Sequence, residues 1–404
     1  MSLVLRRTRS ATSDDETTAT RSGGPDGAPP AEAEGPLGRR HIWAMTAAAL
    51  ACVLVAAYTG IRMPNAWSAT LQSVSFQDGF HRRFLVGTLM DPIADAAGYH
   101  YRMYALLSFL ILAGLLAVLV YQAVVTRLPA RRFLILAFFL LPTGGYLFHE
   151  VGYFDQVLYL LLFGALWMLG RGWWIPASLT MVLAMCVHEI TALTVLPLFF
   201  VACLRVLPLS RTIVAAVPAC ATGLLILTAK PTSSGTSLAL QRKLEEAHFP
   251  VRPDALELFS RTQEDSWKMY SQKEVFLYLL PLIVLIGVAL LLFARAGDRP
   301  AKLLVMSVLA ALAPAMATFA GWDRERWAFL LIVNFFVILW FWFGDYQVGL
   351  KSVQFGVVVV ALLLTVHVPL TYFDGFEPRS LTGRGISDFY EYVTSGDFFD
   401  KPRL

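Results

Sequence analysis

The chain has 404 residues, of which 57% are hydrophobic and 15% are charged, and its formal net charge is +4. A soluble domain has no use for so much apolar surface, and several apolar runs exceed the roughly 18 residues that cross about 30 Å of hydrocarbon. The composition therefore excludes an ordinary soluble protein and predicts an all-α integral membrane protein. Nucleic acid is not among the expected partners.

The first forty residues differ from the rest of the chain. Residues 1–40 are rich in Gly, Pro, Ala and charge and have almost no large apolar side chains beyond the first few positions. Such a segment cannot bury enough surface to offset the entropy of ordering it, so we predict a disordered cytoplasmic tail. The segment is also too polar for a secretory signal peptide, which makes the first span an uncleaved anchor.

Apolar runs in chain order predict about eleven transmembrane helices within residues 41–371. The predicted spans are 42–61, 102–124, 133–148, 155–170, 173–187, 190–204, 212–229, 275–294, 301–320, 327–344 and 352–371. Residues 62–101 and 230–274 form outer loops, and residues 372–404 form an extracytoplasmic C-terminal tail. Because the spans 173–187 and 190–204 are short and nearly adjacent, we expect either a pair of half-helices or one kinked helix there.

Basic residues orient this set of spans. If the spans alternate, one group of short loops and the segment before the first span hold Arg39, Arg40, Arg127, Arg131, Arg132, Arg171, Arg205, Arg211, Arg295, Arg299, Lys302 and Lys351. The positive-inside rule assigns that side to the cytoplasm, so the N-terminus is predicted inside and the C-terminus outside. The segments that mix acids with His or Arg then collect on the outer face, which predicts a single extracytoplasmic site.

The first of these segments is SFQDGFHRRFLVG, which contains Asp78, Arg82 and Arg83. Guanidinium groups stay ionised and bind phosphate with two parallel hydrogen bonds, so the basic pair favours an anionic headgroup as ligand. The alternative is a loop that only touches lipid headgroups, although basic residues on the outer side run against the topology bias.

The second segment, FHEVGYFDQ, contains His149, Glu150 and Asp155. Asp155 opens an apolar run and could simply cap a helix, a role worth about 1 kcal/mol. Three ionisable groups this close to a membrane boundary are costly unless they are used, which indicates a site.

The third segment is the pair His188-Glu189, which lies between two apolar runs. A single His in a membrane helix often just bonds a neighbouring carbonyl, but a carboxylate beside it needs a cation or a raised pKa. The two His-Glu pairs offer ligand types that suit a divalent metal. Their spacing matches no dedicated metal motif, so no metal ligand is assigned and a metal stays an alternative.

The fourth segment, GWDRERW, places Asp323, Arg324 and Arg326 at the start of a span. Residues two positions apart lie on different faces of a helix, so one arginine is expected to pair with a neighbouring acid while the other faces a cavity. The alternative is a salt-bridged helix cap without a ligand.

The layout of these segments resembles the GT-C class of integral-membrane glycosyltransferases. QDGFHRR with Asp78 is similar to the acidic residue in the first outer loop of that class, and HEVGYFDQVLYLLLF with Asp155 is similar to the acidic residue that opens a later span. The resemblance implies transfer of a sugar from a polyprenyl-phosphate-linked donor to a glycan or lipid-linked acceptor on the outer face.

Sugar transfer with inversion needs a carboxylate that deprotonates the acceptor hydroxyl and cations that hold the departing phosphate. We assign Asp78 as the base, with Asp155 or Glu150 as the second choice. The candidates for binding the substrate and its phosphate are Arg82, Arg83, His149, His188, Glu189, Asp323, Arg324 and Arg326. No glycine-rich nucleotide loop is present, so a nucleotide-sugar donor is not expected.

Two other functions stay open. O-antigen and exopolysaccharide polymerases have a similar number of spans and act on polyprenyl-diphosphate glycans. A proton-coupled secondary transporter could use His149, Glu150, Asp155, His188 and Glu189 as a relay, although the chain shows no internal repeat and its charges gather at one surface. In each case we expect a multi-pass protein of the bacterial inner or plasma membrane, surrounded by membrane lipids, and the enzyme functions place it in the synthesis of cell-envelope polysaccharide.

Overall fold

The computed structural model describes residues 38–79, 82–229, 233–257, 272–295, 300–319, 321, 323–344, 376, 378–395 and 402. All regular elements in these ranges are helical. Residues 1–37 of the predicted tail 1–40, the predicted span 352–371, and parts of the predicted loop 230–274 and of the predicted C-terminal tail 372–404 lie outside the described residues. Those predictions therefore stay predictions.

The helices begin and end as follows. They are α1 (Arg39–Gly60), α2 (Ala66–Gln72), α3 (Phe84–Ala97), α4 (Tyr101–Val125), α5 (Pro129–Leu140), α6 (Pro142–His149), α7 (Asp155–Gly170), α8 (Trp174–Val187), α9 (Val195–Val206), α10 (Leu209–Thr228), α11 (Ser234–Glu246), α12 (Pro253–Glu257), α13 (Gln272–Arg295), α14 (Ala301–Leu312), α15 (Arg324–Phe343) and α16 (Gly383–Thr394). Short 3-10 segments occupy Phe76–Asp78, Glu189–Ala192 and Ala313–Phe319.

Within the described ranges, seven helical segments are long and apolar enough to cross a membrane, or eight if the bent pair α5 and α6 counts as one span. This finding supports a multi-pass membrane protein. Helices α7 and α8 are apolar but shorter than 18 residues, so the total of about eleven spans and their orientation are not fixed by helix length alone.

Two breaks in the helices bring polar groups into the bundle. The predicted span 133–148 is split at Leu141, where the chain bends by 60° between α5 and α6. Pro142 opens α6, and a proline both lacks an N–H and disfavours helical backbone in the residue before it. The second break follows α8, where His188 has an extended backbone and a short 3-10 turn leads towards α9.

Helix α15 is the centre of the bundle. Of its most apolar stretch, 94% is buried, whereas the corresponding value for α1 is 11%. Asn334 anchors α15 from within, because its amide donates to the carbonyl oxygens of Thr194 (3.1 Å) and Ala310 (2.9 Å). The hydroxyl of Tyr159 on α7 donates to the Asn334 side-chain oxygen at 2.8 Å. A fully satisfied buried amide of this kind fixes the rotation of its helix.

The close approach of α1 and α6 gives a first prediction. A Cβ atom on Gly60 would overlap the carbonyl group of Gly145, and backbone atoms cannot move aside as a flexible side chain can. We expect Gly60→Ala to lower the free energy of unfolding by about 1–3 kcal/mol, the usual cost of overpacking. Denaturant unfolding of the detergent-solubilised protein, followed by circular dichroism, measures this change.

Gly164 in α7 is the matched control, because a Cβ there meets no atom within 4 Å. Alanine is the better helix former, so Gly164→Ala should be neutral or stabilise by up to about 1 kcal/mol. Equal stability of Gly60→Ala and the unsubstituted protein would contradict the contact between α1 and α6.

Candidate functional site

A buried ion pair lies where the first turns of α7 and α15 meet. Arg326 binds Asp155 with two hydrogen bonds, from Nε to Oδ2 at 2.6 Å and from Nη2 to Oδ1 at 2.8 Å. The two side chains are 8% and 6% exposed. The parallel geometry is the strongest form of arginine–carboxylate contact, and it joins residues 171 positions apart in the sequence.

His188 continues this network at the break between α8 and α9. Its Nε2 lies 3.5 Å from Nη2 of Arg326, and its Nδ1 lies 3.1 Å from Oε2 of Glu189. The backbone N–H of Ile190 donates to the same Nδ1 at 3.0 Å. Because His188 leaves the helix in an extended conformation, its ring is held between the two neighbouring ion pairs.

Glu189 binds the basic pair that precedes α3. Arg83 donates from Nη2 to Oε1 at 2.9 Å and from Nε to Oε2 at 3.3 Å, and Nη1 of Arg82 lies 3.7 Å from Oε1. Arg83 has a φ of 70°, in the left-handed region that costs a non-glycine residue roughly 1–2 kcal/mol. Tertiary contacts such as the ion pair with Glu189 must compensate for this strained backbone.

Together these contacts form one continuous chain of charged and polar groups, which we call the ion-pair network. It consists of Arg82, Arg83, Glu189, His188, Arg326 and Asp155. Its members come from four separate parts of the sequence, and all of them were assigned to one outer site from the sequence. The network places three guanidinium groups and two carboxylates in one partly exposed region.

Asp323 lies at the edge of the network, with Oδ2 at 3.8 Å from Nη1 of Arg326. Desolvation raises the pKa of Asp323 to about 6, although part of its side chain is exposed. Burial also lowers the pKa of Arg82 from its ordinary value, against the opposing effect of Glu189. The pKa of Asp323 means that this carboxylate is neutralised more easily than a solvated one, which makes the region more positive in mild acid.

Two other predicted site residues make separate contacts. Oδ2 of Asp78 accepts the backbone N–H of Ser75 at 2.9 Å, so Asp78 completes a capping box of its own short helix. Arg324 pairs with Glu325 at 2.8 Å, and its guanidinium lies over the ring of Tyr278. No described contact joins Asp78 or Arg324 to the ion-pair network, and their roles as base and phosphate ligand stay predictions.

His149 and Glu150 form a second, looser pair at the end of α6. His149 Nε2 lies 3.7 Å from Glu150 Oε1, and its ring stacks on Tyr146. Tyr153 connects this region to the network, because its backbone N–H donates to the Glu150 carbonyl and its ring lies 5.1 Å from the Arg326 guanidinium. The structure therefore places this pair next to the network, one short turn of the chain away.

Two groups of residues were missed by the sequence reasoning. Tyr153 lies inside the segment FHEVGYFDQ, and Asn65 donates to its hydroxyl at 3.3 Å. The position of Tyr153 between Glu150 and Asp155 is the feature of the sequence that could have indicated its place in the site.

The second group lies between α3 and α11. The Tyr99 hydroxyl donates to Oδ1 of buried Asp91 at 3.2 Å and accepts from Nζ of Lys243 at 2.7 Å. Burial and Asp91 raise the pKa of Tyr99 well above its ordinary value. Asp91 stands in an apolar helical segment whose other charged residue is Asp95, one turn further on, so only the folded arrangement shows that Asp91 pairs with Tyr99.

No group of three or more His, Cys, Asp or Glu side chains in the described ranges is arranged to hold a metal ion. Comparison with protein-family models, with curated proteins and with solved structures gives no match. The function is therefore inferred from the chemistry of the ion-pair network.

Proposed function

We propose that the chain is a membrane glycosyltransferase that moves a sugar from a polyprenyl-phosphate-linked donor to a glycan or lipid-linked acceptor. The observation that carries this proposal is the convergence of Arg82, Arg83 and Arg326 in the ion-pair network at one end of an apolar helical bundle. A polyprenyl-phosphate sugar combines an apolar chain with an anionic phosphodiester, and it needs cations where the bundle meets water.

The arginines retain capacity for a phosphate. In the described contacts Arg83 uses Nε and Nη2 for Glu189, whereas a guanidinium group has further N–H donors on Nη1. Phosphate oxygens and carboxylate oxygens accept the same paired hydrogen bonds, so a phosphate can bind beside Glu189 or take its place. The carboxylates thus hold the guanidinium groups in position before the donor binds.

The chemical step follows from this arrangement. An acceptor hydroxyl attacks the anomeric carbon of the donor, a carbon–oxygen bond forms, and the bond from the anomeric carbon to the phosphate oxygen breaks with its electron pair on the phosphate. The arginines stabilise the charge that develops there, and a carboxylate takes the hydroxyl proton. Both oxygens of Asp155 are held by Arg326, which favours Asp78 or Glu150 for the proton transfer.

A transfer assay tests the proposal. The purified chain in nanodiscs is incubated with a polyprenyl-monophosphate sugar that carries a radiolabel in the sugar, together with glycan or lipid-linked acceptors. The expected products are labelled glycan and free polyprenyl phosphate. A parallel reaction with a polyprenyl-diphosphate oligosaccharide separates this function from a polymerase, and the absence of transfer from either donor would overturn the enzyme proposal.

The role of Asp78 gives a second prediction. Asn can still accept the Ser75 N–H, so Asp78→Asn should change the free energy of unfolding by less than about 1 kcal/mol. A general base accelerates proton transfer by about 10²–10⁴-fold, so the same substitution should lower kcat by at least about 100-fold. Asp254→Asn is the control, because Asp254 is half-exposed and pairs with Arg252 at the start of α12. An unchanged kcat in Asp78→Asn would transfer the role to Glu150 or another acid.

A proton-coupled transporter is the second candidate, and the burial of His188 favours it. The side chain is 4% exposed and lies at a helix break, with Nδ1 3.1 Å from Glu189 and Nε2 beside Arg326. A buried imidazole next to a carboxylate is a common part of proton relays in transporters. Substrate uptake into liposomes that depends on a pH gradient and is abolished by Glu189→Gln would support this candidate. Transfer of labelled sugar in a uniform buffer, without any gradient, would exclude it as the main function.

A further inference from the structure

An apolar groove runs along the bundle from about one helical turn below the ion-pair network to the opposite end of α15. It lies between α4, α5, α7 and α15, and the space within and directly outside its open side is about 1030 Å³. Its walls include Leu115, Phe138, Phe163, Val333 and Phe336. Phe163 and Val333 are only half-buried, so the groove reaches the outer surface of the bundle, where the surroundings of a membrane helix are lipid chains.

Two arginines lie in the wall at one end of this groove. Arg131 near the start of α5 donates to the Trp340 carbonyl at 2.9 Å and lies over the Trp340 ring. Arg205 near the end of α9 lies 5.7 Å from the centre of the Phe341 ring. These contacts place both guanidinium groups beside the last turns of α15. Arg131 and Arg205 are the charged side chains among the described lining residues.

The direction of the helices separates this end from the ion-pair network. Helix α15 starts beside Arg326 and reaches Trp340 and Phe341 only in its last turns, and α7 runs from Asp155 towards Gly170. Arg131 and Arg205 therefore lie at the far end, which the arginine distribution assigns to the cytoplasm. The groove ends at Tyr159, one helical turn from Asp155.

We propose that this groove binds an anionic phospholipid of the leaflet at the arginine-rich end. One acyl chain lies along the apolar wall, and the phosphate contacts Arg205 and Arg131. Basic pockets between transmembrane helices on the cytoplasmic side have the charge that recognises anionic headgroups. A polyprenyl-phosphate donor would place its phosphate at the other end of the bundle, so the lipid and the donor use different cations.

Lipid titration of the delipidated protein in detergent tests this proposal. Native mass spectrometry counts bound dioleoylphosphatidylglycerol and dioleoylphosphatidylcholine, and thermal unfolding is recorded in parallel. We expect tighter binding of phosphatidylglycerol. Arg205→Gln should weaken its binding about fivefold, the effect of about 1 kcal/mol per basic residue near an anionic headgroup, and leave phosphatidylcholine binding unchanged.

Arg171→Gln is the matched control. Arg171 is exposed at the same end of the bundle and stacks on Trp167, away from the groove. Equal binding of the two lipids, or equal weakening by Arg171→Gln and Arg205→Gln, would overturn the proposal in favour of a general surface effect. Arg205→Lys keeps the charge and should retain the preference for phosphatidylglycerol, which guards against a folding defect in Arg205→Gln.

A groove-filling variant tests whether the groove holds a phospholipid or the polyprenyl chain of the donor. Val118→Trp narrows the groove from its half-buried α4 side and should reduce phosphatidylglycerol binding. If Val118→Trp instead weakens binding of a polyprenyl phosphate while phosphatidylglycerol binding is unaffected by Arg205→Gln, the groove serves the donor chain and the phospholipid proposal fails.

Discussion

Arg326→Gln is expected to lower the free energy of unfolding by about 3–5 kcal/mol, because it leaves the Asp155 carboxylate buried without its counter-charge. The pair is joined by two hydrogen bonds of 2.6 and 2.8 Å, and both side chains are almost completely buried. Loss of one partner from such a pair has one of the largest destabilising effects of any single substitution. Sugar transfer should be lost as well, since Arg326 is one of the three guanidinium groups proposed to hold the phosphate. Denaturant unfolding and the transfer assay measure the two effects.

The neighbouring arginine supplies the control for this experiment. Arg324 is 43% exposed and pairs with Glu325 on the same helix turn. Arg324→Gln should therefore lower the free energy of unfolding by less than about 1 kcal/mol. The double variant Arg326→Met with Asp155→Leu should recover most of the lost stability, because buried ion pairs can be replaced by apolar side chains of similar volume. Its transfer activity should stay absent. Recovery of activity in this double variant would show that the pair has only a structural role.

Arg83→Gln is expected to weaken donor binding by at least about tenfold, because a hydrogen bond to a charged group contributes about 1.5–3 kcal/mol. Arg83 pairs with Glu189 through two donors and lies beside Arg82, so its removal takes one of the paired cations from the proposed phosphate site. The change should be seen in the KM for the polyprenyl-phosphate sugar. Arg242→Gln, at an exposed position on α11, controls for the loss of one positive charge.

A double variant distinguishes phosphate binding from a contact that only holds the loop. If Arg83 serves only to pair with Glu189, the harm in Arg83→Gln comes from a carboxylate that has lost this partner. Adding Glu189→Gln removes that charge, and the KM should return towards its original value. If Arg83 binds the phosphate, the double variant should bind the donor no better than Arg83→Gln alone. A restored KM would therefore argue against the proposed phosphate site.

Much of the ion-pair network could be predicted from the sequence, and the reason is topological. Alternation of apolar spans and the positions of the basic residues place Arg82, Arg83, Asp155, Glu189 and Arg326 on one face of the bundle. Charged groups at a membrane boundary then need partners, so their convergence follows from the cost of leaving them unpaired.

The individual partners could not be predicted in the same way. Arg324 and Arg326 differ by about 200° around a helix, but α15 is buried on nearly all sides, so no apolar stripe indicates which arginine faces inward. The capping role of Asp78 depends on a turn three residues long. The cluster of Asp91 with Tyr99 and Lys243 joins residues more than a hundred positions apart, a contact that local patterns do not contain.

Glu189 is the most shared member of the network, since it contacts Arg82, Arg83 and His188 at once. An incoming anion that takes over either guanidinium group would release a carboxylate that is already in contact with an imidazole. Arrival of the anion at one edge would thereby change the protonation preference of the imidazole, which in turn touches Arg326. Binding of the anion and the proton affinity of the imidazole would be coupled, because the guanidinium group exchanges Glu189 for the anion as its counter-ion. A titration with substrate should therefore take up or release protons in step with binding.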